Sequence, residues 1–96
     1  MAYTIRYFKQ AIEDAATLQR EEPKAFAKLL KLEAELRDHP RTGTGKPEPL
    51  SGDRAGQWSR RINKKHRLVY EIHDREVIAV SMAGRQNRWK NTGSLS

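Results

Sequence analysis

The chain has 96 residues, enough for one domain around one modest core. Nineteen Lys and Arg against twelve Asp and Glu leave a formal charge of +7. That excess attracts polyanions, nucleic acid first and anionic membrane second, although many small domains simply carry a solvated basic surface. With no cysteine, disulfide scaffolds, thiolate metal sites and Cys nucleophiles are excluded.

Residues 3–8 (YTIRYF) are rich in β-branched and aromatic types and predict a first strand. From Lys9 the period becomes helical. Phe8, Ala11, Ile12, Ala15, Ala16 and Leu18 share one side, with Gln10, Glu13, Asp14 and Gln19 on the other. This helix is expected to end near Arg20. Glu21-Glu22-Pro23 punctuates the chain, and Pro23 suits a first helical position because its missing N–H costs nothing there. A second helix is expected over 23–38, with Phe26, Leu29, Leu30, Glu33 and Leu36 as its stripe and Leu32 beside it. So short a link makes the two an antiparallel hairpin, which reads as scaffold. His39-Pro40 ends it, since a residue before proline is pushed out of the helical region.

Residues 41–57 hold Gly43, Gly45, Pro47, Pro49, Gly52 and Gly56. Two prolines fix φ and Leu50 is an apolar anchor, so an ordered loop is expected. Three extended segments follow, at 57–62, 67–72 and 76–82. Strand, two helices and a strand meander predict one α+β domain, with the helices on one face of an antiparallel sheet of about four strands. The tail beyond about residue 90 is expected to be flexible.

Side chains alternate across a strand. A three-residue loop, Asn63-Lys64-Lys65, sets Trp58 opposite Tyr70 on the helix-covered face and Arg61 opposite Arg67 on the other. A two-residue loop mixes the faces, so the pattern favours three, although the usual glycine is missing. Like charges directly opposite in a sheet cost about 0.2–1 kcal/mol. Either an anion lies between Arg61 and Arg67, or the two are solvated and point apart.

RNA is cut without metal or cofactor when its 2′-OH attacks the adjacent phosphate. A base must take the 2′ proton, cations must stabilise the phosphorane, and an acid must protonate the leaving 5′ oxygen. Glu48, framed by Pro47 and Pro49, suits the base; Arg61 and Arg67 suit the clamp, and Lys46 adds charge. His66 and His73 are the nearby imidazoles. No HExxH, Walker loop, GxSxG or Cys/His metal spacing competes, and no metal site is expected.

GKPEPL at 45–50, G-x-WSRRI at 56–62 and HRLVY at 66–70 resemble the YoeB/Txe branch of the RelE-type toxins. The resemblance implies a small RelE/ParE-like α+β fold. It implies the toxin of a type II toxin–antitoxin pair, a cytoplasmic protein that cuts mRNA in the ribosomal A site. Implied partners are a cognate antitoxin, the ribosome and mRNA; a homodimer is a further option, and no membrane is involved. No apolar run approaches the about 20 residues that span a bilayer. Glu48 would be the general base, with Arg67 and Arg61 at the transition state. Arg60, Lys46, Lys64 and Lys65 would contact RNA.

The chain departs from the family at its end. A closing His-Tyr pair normally supplies the acid and a stacking ring, and Arg85 and Gln86 stand at those positions. Arginine does not release its proton near neutral pH, so Arg85 can clamp phosphate but is not an ordinary acid. Gln86 and Trp89 join the expected RNA contacts, Trp89 in place of the stacking ring. Three outcomes remain open: a reduced nuclease, one that uses another acid such as His66, or a binder that blocks translation without cutting. A ParE-like gyrase inhibitor on the same fold is the other alternative.

Overall fold

Residues 2–82 are described by a computed structural model; Arg85, Gln86, Trp89 and the tail lie outside them. The chain runs β1 (Thr4–Tyr7), α1 (Lys9–Glu21), α2 (Pro23–Leu36), β2 (Glu48–Pro49), a 3₁₀ turn (Gly52–Arg54), β3 (Gln57–Arg61), β4 (Arg67–Ile72) and β5 (Glu76–Ser81). Every expected element is present, some shorter by a residue or two.

The sheet differs from the expected antiparallel one of about four strands. It has five, in the order β1-β5-β4-β3-β2. It is also mixed, because β1 pairs parallel to β5, with Thr4 opposite Glu76 and Tyr7 opposite Ala79. Parallel neighbours need a long crossover, and the helical hairpin, with the strands after it, carries the chain round. The extra strand is β2, two residues at the far edge, pairing Glu48 with Ser59 and Pro49 with Trp58. An edge is where a strand tolerates a proline, which has no N–H to donate.

The predicted β3–β4 register is the observed one, with Trp58 opposite Tyr70 and Arg61 opposite Arg67. Asn63 does the work expected of a glycine. Its Oδ1 accepts from the backbone N–H groups of Lys65 (2.8 Å) and His66 (2.7 Å), and the Ile62 N–H closes the turn on His66 O at 3.0 Å. Such a side-chain turn substitutes for a backbone one.

Leu29, Leu32 and Leu36 of α2 and Ala11 and Leu18 of α1 pack on Leu68, Tyr70, Val77 and Ala79 of the sheet. A fully buried leucine contributes about 1.5–3 kcal/mol. Several stripe members do not join them: Ile12 is 57% and Leu30 49% exposed, and Phe8 and Ala16 are exposed as well. Asp14, expected in water, is instead fully buried. Helix α1 presents only its 11-14-18 line to the sheet, which leaves Ile12 turned away. Asp14 is tolerated inside because it is bonded there, accepting from Gln10 Nε2 and from the Met82 N–H, both at 2.9 Å. It ties α1 to the end of β5.

Candidate active site

The loop that carries the candidate base is built on Arg60. Alternation turns this residue toward the helices, and its side chain is completely buried. Arg60 Nη1 meets Glu35 Oε1 at 3.0 Å and Thr44 O at 3.3 Å; Nη2 donates to Thr42 O at 2.7 Å and to His39 O. Its Nε donates to the Tyr70 hydroxyl at 3.2 Å, and that hydroxyl donates to Pro40 O at 2.8 Å. Burial pushes the Tyr70 phenol up, so it stays a neutral donor. Glu35 accepts from the Thr44 N–H at 2.8 Å and from Thr44 Oγ1 at 2.6 Å. Those bonds first, and Arg60 after them, hold the Glu35 carboxyl below the usual range. The segment 39–44 is thus wrapped around one buried guanidinium. Arg60 was expected to contact RNA; every N–H it offers is spent inside the protein.

From this anchor the chain passes against β3. Arg61 N–H donates to Gly45 O at 2.7 Å. Gly45 has φ +85°, and a Cβ there would sit 2.8 Å from Arg61 O, so only glycine fits. Lys46 follows with φ 51°, the one left-handed non-glycine among the described residues. Such a residue stores about 1–3 kcal/mol and persists where its surroundings enforce it.

Two residues on, Glu48 pairs with Ser59, which is itself opposite Val69, and Val69 is opposite Ser81. This row crosses four strands on the face turned away from the helices. Directly opposed residues hold their Cβ atoms about 4.5–5.5 Å apart. Arg67 reaches into the row, its Nη1 donating to Ser59 Oγ at 3.3 Å. An exposed carboxylate and a half-buried guanidinium therefore flank one buried hydroxyl. Ser59 is the member that sequence reasoning passed over; its parity with Arg61 and Arg67 was the available signal. Ser81 at the row's other end is buried, and its hydroxyl has no partner among the described residues.

Arg61 and Arg67 are opposite in register, yet they serve different surroundings. Arg67 turns to Ser59, whereas Arg61 is exposed and lines a cleft with Gly45, Lys46 and Lys64. Lys65 meets Glu22 Oε2 at 3.6 Å. His66 is buried on the helix side, its Nε2 2.7 Å from the same Glu22 oxygen. That contact is the main cause holding the Glu22 carboxyl down. The fold separates this imidazole from the row at Glu48, which argues against it as the missing acid. His73 meets Glu71 Oε1 at 3.1 Å beside the β4–β5 turn, and Gln57 Nε2 bonds the other Glu71 oxygen.

A sequence model described as the YoeB-like toxin of bacterial type II toxin–antitoxin systems matches residues 7–85. The toxin YoeB of Synechocystis sp. is 41% identical over 78 residues, covering 80% of this chain and 90% of the relative. Among solved structures, a YoeB/ParE toxin from Agrobacterium tumefaciens aligns with a TM-score of 0.79 at 32% identity, over 83% of this chain and 95% of that one. A YoeB dimer from Staphylococcus aureus aligns with a TM-score of 0.77 at 34% identity, over 86% and 97%. YoeB from that organism is also solved as a heterotetrameric complex with YefM, with a TM-score of 0.76 at 34% identity over the same shares. Matched by family model, by relatives and by fold, this chain belongs to the YoeB-like toxins of bacterial type II toxin–antitoxin systems.

Proposed function

We propose that this toxin is a ribosome-dependent mRNA endonuclease that works in the cytoplasm as one domain. The observation that supports it best is the row in which Glu48 faces Ser59 while Arg67 bonds Ser59 Oγ at 3.3 Å. Glu48 takes the 2′ proton, and the 2′ oxygen attacks the adjacent phosphorus. The bond to the 5′ oxygen breaks, leaving a 2′,3′-cyclic phosphate and a 5′ hydroxyl once that oxygen gains a proton. Arg67 stabilises the phosphorane, with Arg61 beside it in register. A guanidinium suits this task because it offers paired donors to two phosphate oxygens. Arg85 and Gln86 belong to the proposed site by alignment alone, and Trp89 as a substitute for the stacking ring. The solved complexes of the Staphylococcus aureus relative support a cognate antitoxin, and a homodimer, as partners.

The test is primer extension on mRNA in a translating extract with wild type, Glu48→Ala and Arg67→Ala. Wild type should create new 3′ ends and both variants should not; undiminished cleavage by both sinks the assignment. A second reading rests on the position of His66, held by Glu22 on the helix side. Without an ordinary acid the toxin would bind the ribosome and stall translation, giving growth arrest with no new 3′ ends.

A further inference from the structure

Beside the Glu48–Ser59–Arg67 row lies a second basic feature. A cleft of about 440 Å³ opens between α2 and the β3–β4 turn, lined by Lys28, Gly45, Lys46, Arg61, Asn63 and Lys64 with Ile62. Four of these side chains are cations and none is a carboxylate. None of the four makes an ion pair among the described residues, whereas neighbouring Arg60 and Lys65 are paired to Glu35 and Glu22. Converging cations with no counter-charge repel one another, and an anion in the cleft relieves that repulsion.

We propose that this cleft is a second phosphate subsite for single-stranded RNA, one that grips the strand away from the reacting phosphate. It rests on the endonuclease reading for its role but not for its test. Lys28 is the residue that makes it a separate site. It comes from α2, not from the catalytic strands, and it is half-buried. Its Nζ donates to Ile62 O at 3.4 Å, which occupies one of three ammonium N–H groups and leaves two for a ligand in the cleft that Lys28 lines. Lys46, on its left-handed backbone, lines the same cleft. Arg61 lies between the two features: opposite Arg67 on the sheet and in the cleft wall. A strand laid across Arg61 has one phosphate at Arg67 and another between Lys28 and Lys64.

The ligand chemistry is a phosphodiester held by ammonium point charges and one guanidinium fork. Each phosphate contact on a single strand contributes about 0.7 to the slope of log K against log salt. The probe is a fluorescent RNA oligonucleotide with 2′-O-methyl sugars throughout, which this mechanism cannot cut. Binding is measured by anisotropy from low to moderate salt. Lys28→Gln and Lys64→Gln should each reduce the slope, and both together by about 0.7, the share of the one phosphate they hold. Lys24→Gln is the control, an exposed lysine of the same helix outside the cleft. It should leave the slope unchanged. An unchanged slope in Lys28→Gln and Lys64→Gln, or an equal loss in Lys24→Gln, overturns the subsite in favour of diffuse charge. Loss of cleavage is not scored here, so failure of the endonuclease reading and failure of the subsite are distinguishable.

Discussion

Replacing Arg60 by methionine should unfold much of what the candidate site stands on. Methionine fills similar space but donates nothing. The carbonyls of His39, Thr42 and Thr44 lose their guanidinium donor, and Glu35 loses its ion pair. Breaking a buried pair by removing one partner costs about 3–5 kcal/mol. The low end applies here, because the Glu35 side chain is 25% exposed and keeps both bonds from Thr44. At about 4–8 °C per kcal/mol for a domain of this size, about 3 kcal/mol lowers the Tm by roughly 12–24 °C. The assay is a circular-dichroism melt at fixed concentration, beside Arg61→Met. Arg61 is exposed on the other face, and a surface change of that kind stays within about 0.5 kcal/mol. Adjacent arginines should thus give opposite results. A Tm for Arg60→Met within about 2 °C of wild type, together with weakened RNA binding, would refute the anchor and restore Arg60 to the RNA contacts.

Three further outcomes are expected. Gly45→Ala should destabilise the loop and weaken RNA binding, since its Cβ would meet Arg61 O at 2.8 Å with φ at +85°; wild-type Tm and binding would contradict this. Ser81→Ala should leave stability unchanged or raise it by about 1 kcal/mol in a urea titration, because a buried hydroxyl without a partner among the described residues carries its desolvation cost uncompensated; a loss would reveal a bond to residues beyond 82. Acidification should remove stability as pH falls through the carboxylate range. Glu22, Glu35 and Glu71 are held low by bonds to His66, Thr44 and Gln57 respectively, so the folded chain binds fewer protons there than the unfolded one. Glu33 runs the other way. Burial raises its carboxyl, so its charged form costs stability at neutral pH. Glu33→Gln should therefore raise the Tm at pH 7, and the gap should close on acidification through the raised value. A gap independent of pH would count against it.

What was legible in the sequence follows from period and parity. Trp58 and Tyr70 share a face only if Arg61 meets Arg67, and the sheet has that register. The direction of β1 was not legible. An edge strand pairs with whichever strand the helical hairpin returns it to, and nothing within residues 4–7 encodes that partner. Asp14 was read as solvated because carboxylates are rarely buried, and its partners, Gln10 and the Met82 N–H, include one 68 residues away. Arg60 was expected to contact RNA and is instead buried. Alternation puts it on the face of Trp58, but the resemblance assigned it to RNA, and its carbonyl partners lie in a loop whose path no periodicity describes.

Strand β3 shows why the two arginines had to diverge. Its side chains alternate, so consecutive residues serve opposite faces. Arg60 takes the helix side and organises residues 39–44; Arg61 takes the other and faces the cleft and the Arg67 row. The loop that Arg60 gathers then returns along the same strand, with Gly45 O on the Arg61 N–H and Glu48 opposite Ser59. Five residues of one strand thus hold the candidate base in place by main-chain pairing and set Arg61 and its opposite number Arg67 beside it. Side-chain exchange between the two positions is not neutral. Lysine at position 60 carries one point charge in place of a fork, and it cannot reach three carbonyls, a carboxylate and a phenol together. Lysine at position 61 keeps a cation in the cleft and loses only bidentate geometry. Arg60→Lys should therefore fail in stability and Arg61→Lys only in RNA affinity, a split that follows from which face each residue occupies.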